Sequence, residues 1–205
     1  DFIAGQYLTV LLPGRDPVEG KAYSISSHPQ EELLTLTIKD QGGFSRAILD
    51  HQPGDTLYTS LPYGFFYPED TSNRELVFLA GGIGITPAFS ILKDQLTNQR
   101  TTSLLHLFYS NRSAADTCFR SELDQLVKTY GNLRVHQHYT RSQPTSNESP
   151  IEFCRLSAKN ILAKLPNPQA ATFFIAGSID FTRSLWRDLI THGIAAEEIY
   201  TEGFY

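Results

Sequence analysis

The chain has 205 residues, 40% of them apolar, and its 22 acidic against 17 basic side chains leave a formal charge of −5. That length and apolar content build one large domain or two small ones, and the negative balance argues against a nucleic-acid footprint. No apolar run approaches the roughly 20 residues of a membrane-spanning helix, and no secretory signal opens the chain. Cys118 and Cys154 lie far apart, in the spacing of neither a disulfide framework nor a metal or iron–sulfur site. A cytoplasmic protein is the default reading. The chain holds no methionine and opens abruptly inside a strand-like stretch, so it reads as a piece of a longer sequence.

Up to about Asn73 the sequence runs in short alternating segments separated by turn residues. "GQYLTVLLPG", "KAYSISSHP", "ELLTLTIKDQGG" and "DTLYTSLPYG" are rich in Tyr, Thr, Val, Ile and Leu, and each is bounded by Gly, Pro, Asp or Asn. Strands this close together form an antiparallel barrel or sandwich. "SRAILDHQ" breaks the pattern as one short helix. From Arg74 the pattern changes. "ELVFLAGG" is a near-continuous apolar run of the kind buried on both faces of a parallel sheet. A helix follows, with Phe89, Leu92 and Leu96 near 3.6-residue spacing. Strand and helix then alternate through "SLLHLFYS", "DTCFRSELDQLVKTY", "LRVHQHYT", "SAKNILAKL", "ATFFIAG", "DFTRSLWRDLITHG" and "EEIYTEGFY". The reading is an antiparallel β-barrel over residues 1–73, short of its first strand, then an α/β doubly wound, Rossmann-like domain over 74–205 with five parallel strands. "RSQPTSNESP" is a polar loop within the second domain.

The stretch "LVFLAGGIGITPAF" carries the first chemistry. In a doubly wound sheet ligands bind outside the carboxyl ends of the strands, and the first strand-to-helix turn is the usual phosphate site. Gly81, Gly82 and Gly84 leave the backbone bare there, so a pyrophosphate can come close. The helix starting near Thr86 points free N–H groups and its positive dipole end at the anion. Pro87 suits the first helical turn, where its missing N–H has no partner to lose. Thr86 either caps that helix or bonds a phosphate oxygen. No lysine follows, so this is no ATP-type P-loop. Taken alone, the turn reads as well as tight strand–helix packing.

This motif resembles the G-G-x-G-x-T-P nicotinamide turn of the ferredoxin–NADP reductase superfamily, and further matches follow in that family's order. Lys21 to Ser24, "KAYS", resembles the R-x-Y-S/T flavin motif. Gly42, Gly43, Phe44 and Ser45 resemble the turn that holds flavin phosphates. Tyr109 to Arg112, "YSNR", resembles the loop that meets the adenosine ribose. "IAGSIDF" stands where the family writes C-G-P or C-G-S, and "PYGFFY" resembles a structural P-x-G-x-F turn. The resemblance covers nearly the whole chain.

It implies a flavin-dependent NAD(P)H oxidoreductase that takes hydride onto FAD, with FMN as the alternative, and passes electrons to a redox protein. That acceptor is a ferredoxin, a flavodoxin, or an oxygenase or haem partner or domain. Tyr23 then lies along the isoalloxazine and Ser24 presents its hydroxyl near the flavin N5, the two catalytic positions. Lys21 pairs with flavin phosphate, and "SISSHP" with Ser26 is closer to FAD-type members. "KAYS" in place of H-P-F-T implies a soluble member. Ser110 and Arg112 meet the ribose; with no acid in "FYSNRSAA" they lean toward NADPH over NADH. Gly177 and Ser178 line the nicotinamide or ribose pocket, and Glu202, Phe204 and Tyr205 resemble the E-x-F or terminal aromatic that lies near the flavin face.

Two positions depart from the family. Lysine replaces arginine at 21, which keeps the charge and loses the planar fork, so weaker flavin retention is expected. Ala176 stands where the family has a cysteine and carries no catalytic role. Two rival readings stay open: a free flavin or ferric-chelate reductase, and a flavin-bearing subunit that does not oxidise nicotinamide rapidly. Asp180 reads as the first turn of a helix, and hydride transfer needs no carboxylate pair from it and Glu202. His136 and His138 alternate on one strand with no cysteine or third histidine near them in sequence, so they read as core or surface residues and no metal site is expected.

Overall fold

The computed structural model describes residues 1–69, 74–141, 151–152 and 154–204. The polar loop at 142–150 and Tyr205 lie outside the described residues. An antiparallel sheet comes first, in the order β2-β1-β3, from β1 Tyr7–Leu11, β2 Lys21–Ser24 and β3 Tyr58–Thr59. Strand β1 alternates as a half-covered strand must, turning Leu8 and Val10 inward. They pack on Ile25 and on Phe44, Ala47 and Ile48 of the short helix α1, Gly43–Leu49. The stretch from Glu32 to Gly43, expected as a strand, forms a single bridge between Leu36 and Ile25. Leu33 and Leu34 face solvent, so that stretch has no continuous apolar face to hold a ladder. A second bridge joins Tyr7 to Tyr63.

The second sheet is parallel throughout, in the order β7-β6-β5-β4-β8-β9. Five strands of six or seven residues carry it: β4 Leu76–Gly81, β5 Leu105–Asn111, β6 Leu133–Tyr139, β8 Thr172–Ser178 and β9 Ile199–Phe204. The two-residue β7, Ile151–Glu152, extends one edge. Helices α2 Ile85–Thr97, α3 Arg120–Thr129, α4 Ala158–Leu162 and α5 Ile179–Thr191 cover the faces.

Strand alternation explains why β4 reads as an unbroken apolar run. Leu76, Phe78 and Ala80 pack beneath Phe89, Leu92 and Leu96 of α2, while Val77 and Leu79 face Ile161 of α4 and Leu185 and Leu189 of α5. Each such side chain contributes about 1.5–3 kcal/mol by leaving water, and both faces need them. The chain winds outward from β4 through β5 to β6, then returns to β8 on the other side of β4. The switch point therefore lies between the carboxyl ends of β4 and β8, where such sheets bind ligands.

The two sheets are joined by shared core and specific bonds. Ala4 and Phe66 sit in the core beneath α2, and Phe66 meets Phe174 edge-on at 5.4 Å. The buried Ser90 hydroxyl of α2 donates to the Ser27 carbonyl at 2.6 Å, and Lys93 pairs with Glu31.

Candidate active site

A cleft of about 720 Å³ opens between the antiparallel sheet and the carboxyl ends of β4 and β9. Lys21, Tyr23 and Ser24 of β2 form one wall, with Tyr7 of β1 and Ser45 of α1. Ile83 and Thr86, from the glycine turn, and Glu202 and Phe204, from β9, form the other. Ser24 is 4% exposed, and its Oγ finds no hydrogen-bond partner. Glu202 Oε2 is likewise buried and unpartnered, and burial pushes this carboxyl up to about 7. The Tyr7 hydroxyl is raised by burial first, then by its bond with Tyr63 and by the charges of Tyr63 and Glu202. Burial also raises Tyr23.

A second cleft of about 530 Å³ adjoins the first and shares Thr37, Ile38, Lys39 and Ile83 with it. It lies over the switch point, lined by Gly81 and Gly82 after β4, Ser110, Asn111 and Arg112 at the end of β5, and Ser178 after β8. Gly82 has φ 53° and open space where a Cβ would stand. The Asn111 side chain is buried, and both its amide atoms are without partners. Asp116 and Cys118 line the same cleft.

The glycines divide their labour. Gly82 is bare toward the second cleft, whereas Gly84 is bare toward the protein: a Cβ there would meet the Ala176 carbonyl. Gly177 packs on Phe181 and Gly81 in the same way. The Thr86 hydroxyl donates to the Ile83 carbonyl at 3.0 Å, and Gly84 is the helix N-cap, so Thr86 does not cap the helix through that hydroxyl. Pro87 is buried in the first turn. In the Gly42 turn, Ser45 Oγ accepts from the Gln41 N–H at 2.8 Å and donates to the Gly42 carbonyl. Asp40 takes the Gly42 N–H. Gln41 and Ser45 reach the first cleft, Gly42 and Gly43 do not line it, and Phe44 sits in the core. Ser26 is drawn elsewhere: its hydroxyl bonds the Thr35 carbonyl and Thr37 Oγ1, beside a separate groove under Phe89.

Three lining residues escape motif reading. Tyr7 is hidden among ordinary strand residues. Asn111 lies inside a recognised motif without standing out, and Asp116 falls one position beyond "FYSNRSAA". Glu202 is legible as a match but not as a buried acid; the signal is a lone carboxylate inside a strand-like run.

The model of the oxidoreductase NAD-binding domain family matches residues 78–184, from β4 into α5. The chain belongs to the oxidoreductase NAD-binding domain family. Its fold is that of the ferredoxin NADP+ reductases and their structural relatives. Flavohemoprotein B of Dictyostelium discoideum is 29% identical over 99% of this chain and 52% of that protein. The chain spans about half the length of the curated relatives it matches. Among solved structures, the FAD/NAD-binding domain of a nitric oxide dioxygenase from Vibrio cholerae superposes with a TM-score of 0.84 at 22% identity, over 100% of this chain and 86% of that one. A ferredoxin NADP+ reductase from Neisseria gonorrhoeae with bound FAD and NADP gives 0.80 at 24%, over 98% and 87%. No helix among the described residues is long and apolar enough to cross a membrane.

Proposed function

We propose that this chain holds FAD in the first cleft and NAD(P)H in the second, and carries electrons from the nucleotide through the flavin to a redox protein. The observation that carries the reading is the meeting of two clefts, one edged by the orphaned Ser24 hydroxyl and the other by the bare Gly82 backbone and the orphaned Asn111 amide. Buried polar atoms without partners cost free energy, so these are groups a bound ligand satisfies. Relatives named for FAD, NAD and NADP support it. In this reading residues 1–73 form the flavin domain and 74–205 the nucleotide domain.

When bound, FAD supplies the capacity to accept a hydride and release electrons singly. The protein supplies placement. Tyr23 offers an aromatic wall, Ser24 a donor hydroxyl at the reacting edge, and Lys21 and Ser45 hold flavin phosphate. Gly82 admits the dinucleotide pyrophosphate, while Ser110, Asn111 and Arg112 meet its ribose end. Phe204 and Glu202 close the floor where the two ligands approach, and Glu202 holds or gives up a proton near neutral pH. Arg112 favours NADPH; Asp116 in the same cleft opposes that preference. The acceptor we favour is a haem-bearing protein or domain, because half-length matches to flavohemoproteins recur among the relatives. Its place is the cytoplasm, where a nicotinamide-consuming module meets its coenzyme.

The test is an anaerobic titration of the FAD-loaded protein with NADPH and, separately, NADH, followed by the flavin's visible absorbance. Bleaching by either nucleotide is expected. Failure to bind flavin, or no bleaching by either, overturns the reading.

A further inference from the structure

A cluster of metal-ligating side chains lies on the sheet edge, apart from both clefts' linings. Parallel pairing of β6 with β7 puts His138 opposite Glu152, and Cys154, two residues on, turns back to the same place. His138 Nδ1 is 3.7 Å from Cys154 Sγ and 3.7 Å from Glu152 Oε2, and Sγ is 3.9 Å from that oxygen. The three donors thus form a nearly equilateral triangle. Zinc holds sulfur at about 2.3 Å and nitrogen or oxygen at about 2.0–2.2 Å, so neighbouring corners of its tetrahedron lie roughly 3.4–3.6 Å apart. A contraction of a few tenths of an ångström closes the triangle on an ion.

We propose that His138, Glu152 and Cys154 form a site for a single thiophilic divalent cation of the zinc type, completed by a water ligand.

Convergence decides between this and the other chemistry such a trio suggests. In a nucleophilic triad the thiol and the acid sit on opposite nitrogens of the imidazole. Here both face Nδ1, while Nε2 is buried without a hydrogen-bond partner. Three donors aimed at one point is the arrangement of ligands, not of a proton relay. The surroundings suit it. His138 is fully buried, so its ring is held in one place with Nδ1 toward the other two donors. Lys164 Nζ bonds Glu152 Oε1 at 2.7 Å, which leaves Oε2 toward the site. Asn160 Nδ2 approaches Cys154 Sγ at 3.8 Å as a donor. Ligands steadied by outer hydrogen bonds in this way are usual at metal centres. His136 does not join them; its Nε2 lies 3.4 Å from His106 Nδ1. Among the described residues no other His, Cys, Asp or Glu joins this trio, which leaves a corner for water.

The experiment is equilibrium dialysis of the protein, with or without added FAD, against micromolar zinc chloride, with metal counted by elemental mass spectrometry and its ligands read by zinc X-ray absorption. Expected are one zinc per chain and a first shell with one sulfur among nitrogen and oxygen. Cys154→Ser and Glu152→Gln should each weaken binding by more than about tenfold, at least the loss seen when an outer-shell partner is removed. Cys118→Ser should leave the sulfur signal in place. Glu152 is partly exposed, so its variant reports even where Cys154→Ser folds poorly. No retained zinc, a sulfur-free shell, or unchanged binding in Glu152→Gln overturns the site. None of these readouts depends on nicotinamide oxidation, so the site stands or falls apart from the function proposed above.

Discussion

Gly84 is packed against Ala176 so closely that a Cβ placed on it would stand 2.2 Å from the Ala176 carbonyl oxygen and 2.6 Å from the Gly177 nitrogen. Both obstacles are backbone of β8, which cannot swing aside as a side chain does. Gly84→Ala must therefore prise the turn off the sheet, and overpacking in a tight core costs about 1–3 kcal/mol. The upper end of that range is expected here, read as a lower denaturation midpoint. Gly82 makes the opposite case. Alanine there meets no atom but must hold φ 53°, a strain of about 1–2 kcal/mol. Gly82→Ala should keep most of its stability and lose nicotinamide affinity, measured by nucleotide titration. Equal losses of stability in the two variants would refute this division.

Ser24→Ala separates folding from cofactor binding. The Ser24 hydroxyl is buried and unpartnered in the protein alone, so removing it takes away no bond and relieves an unsatisfied group. Stability of the flavin-free protein should not fall, and should rise by up to about 1–3 kcal/mol. With FAD bound the hydroxyl has a partner, and its loss should cost about 0.5–1.5 kcal/mol of interaction, seen as slower flavin bleaching by NAD(P)H. An unchanged rate would remove Ser24 from the site.

The sequence is most legible where periodicity is strong and local. The switch from alternating runs to unbroken apolar strands near Arg74 marks the parallel sheet, because strands covered on both faces cannot afford polar positions. The glycine turn and "KAYS" are legible because a ligand backbone contact constrains residue type at fixed spacing. Illegible were features made by tertiary approach. The segment 32–43 has a strand's composition but exposes Leu33 and Leu34. His138 meets Cys154 only because β7 pairs beside β6, a relation no local spacing encodes. Whether Gly84 serves ligand or packing depends on β8, nearly a hundred residues away.

Coenzyme choice turns on Arg112 against Asp116. Arg112 is exposed at the mouth of the second cleft, and Asp116, which lines the same cleft, accepts a bond from Ser113 Oγ at its Oδ2, 2.6 Å away. A 2′-phosphate on arginine is a charge-assisted bond worth about 1.5–3 kcal/mol. Arg112→Ala should therefore lower kcat/KM for NADPH by roughly 10- to 100-fold and leave NADH nearly unaffected. A protein that prefers NADH before and after the substitution would assign the ribose to Asp116 instead.

Lys21→Arg tests the departure from the flavin motif. Lys21 lines the first cleft with its Nζ 5.8 Å from the centre of the Phe44 ring. A guanidinium at that point adds a planar, two-pronged donor to the same charge and stacks better on the ring. FAD should dissociate more slowly and bind about fivefold tighter, a gain of roughly 1 kcal/mol. Equal or weaker retention of FAD would show that residue 21 does not reach the phosphates.

Glu202 gives the protein a pH dependence of definite sign. Its carboxyl, near 4.5 when unfolded, is pushed up to about 7 by burial in β9. Between those values the folded state binds more protons than the unfolded one, so stability must fall as pH rises. The loss is complete above about pH 7 and amounts to at most about 3 kcal/mol, since each pKa unit is worth 1.36 kcal/mol. Glu202→Gln keeps the shape and removes the titration. It should match the wild type at pH 3.5, below both values, and exceed it at pH 8, in denaturant melts of the two proteins at both values. Parallel pH profiles for the two would mean that Glu202 is solvated and ionised in the folded state, and would withdraw it from any proton-holding role beside the flavin.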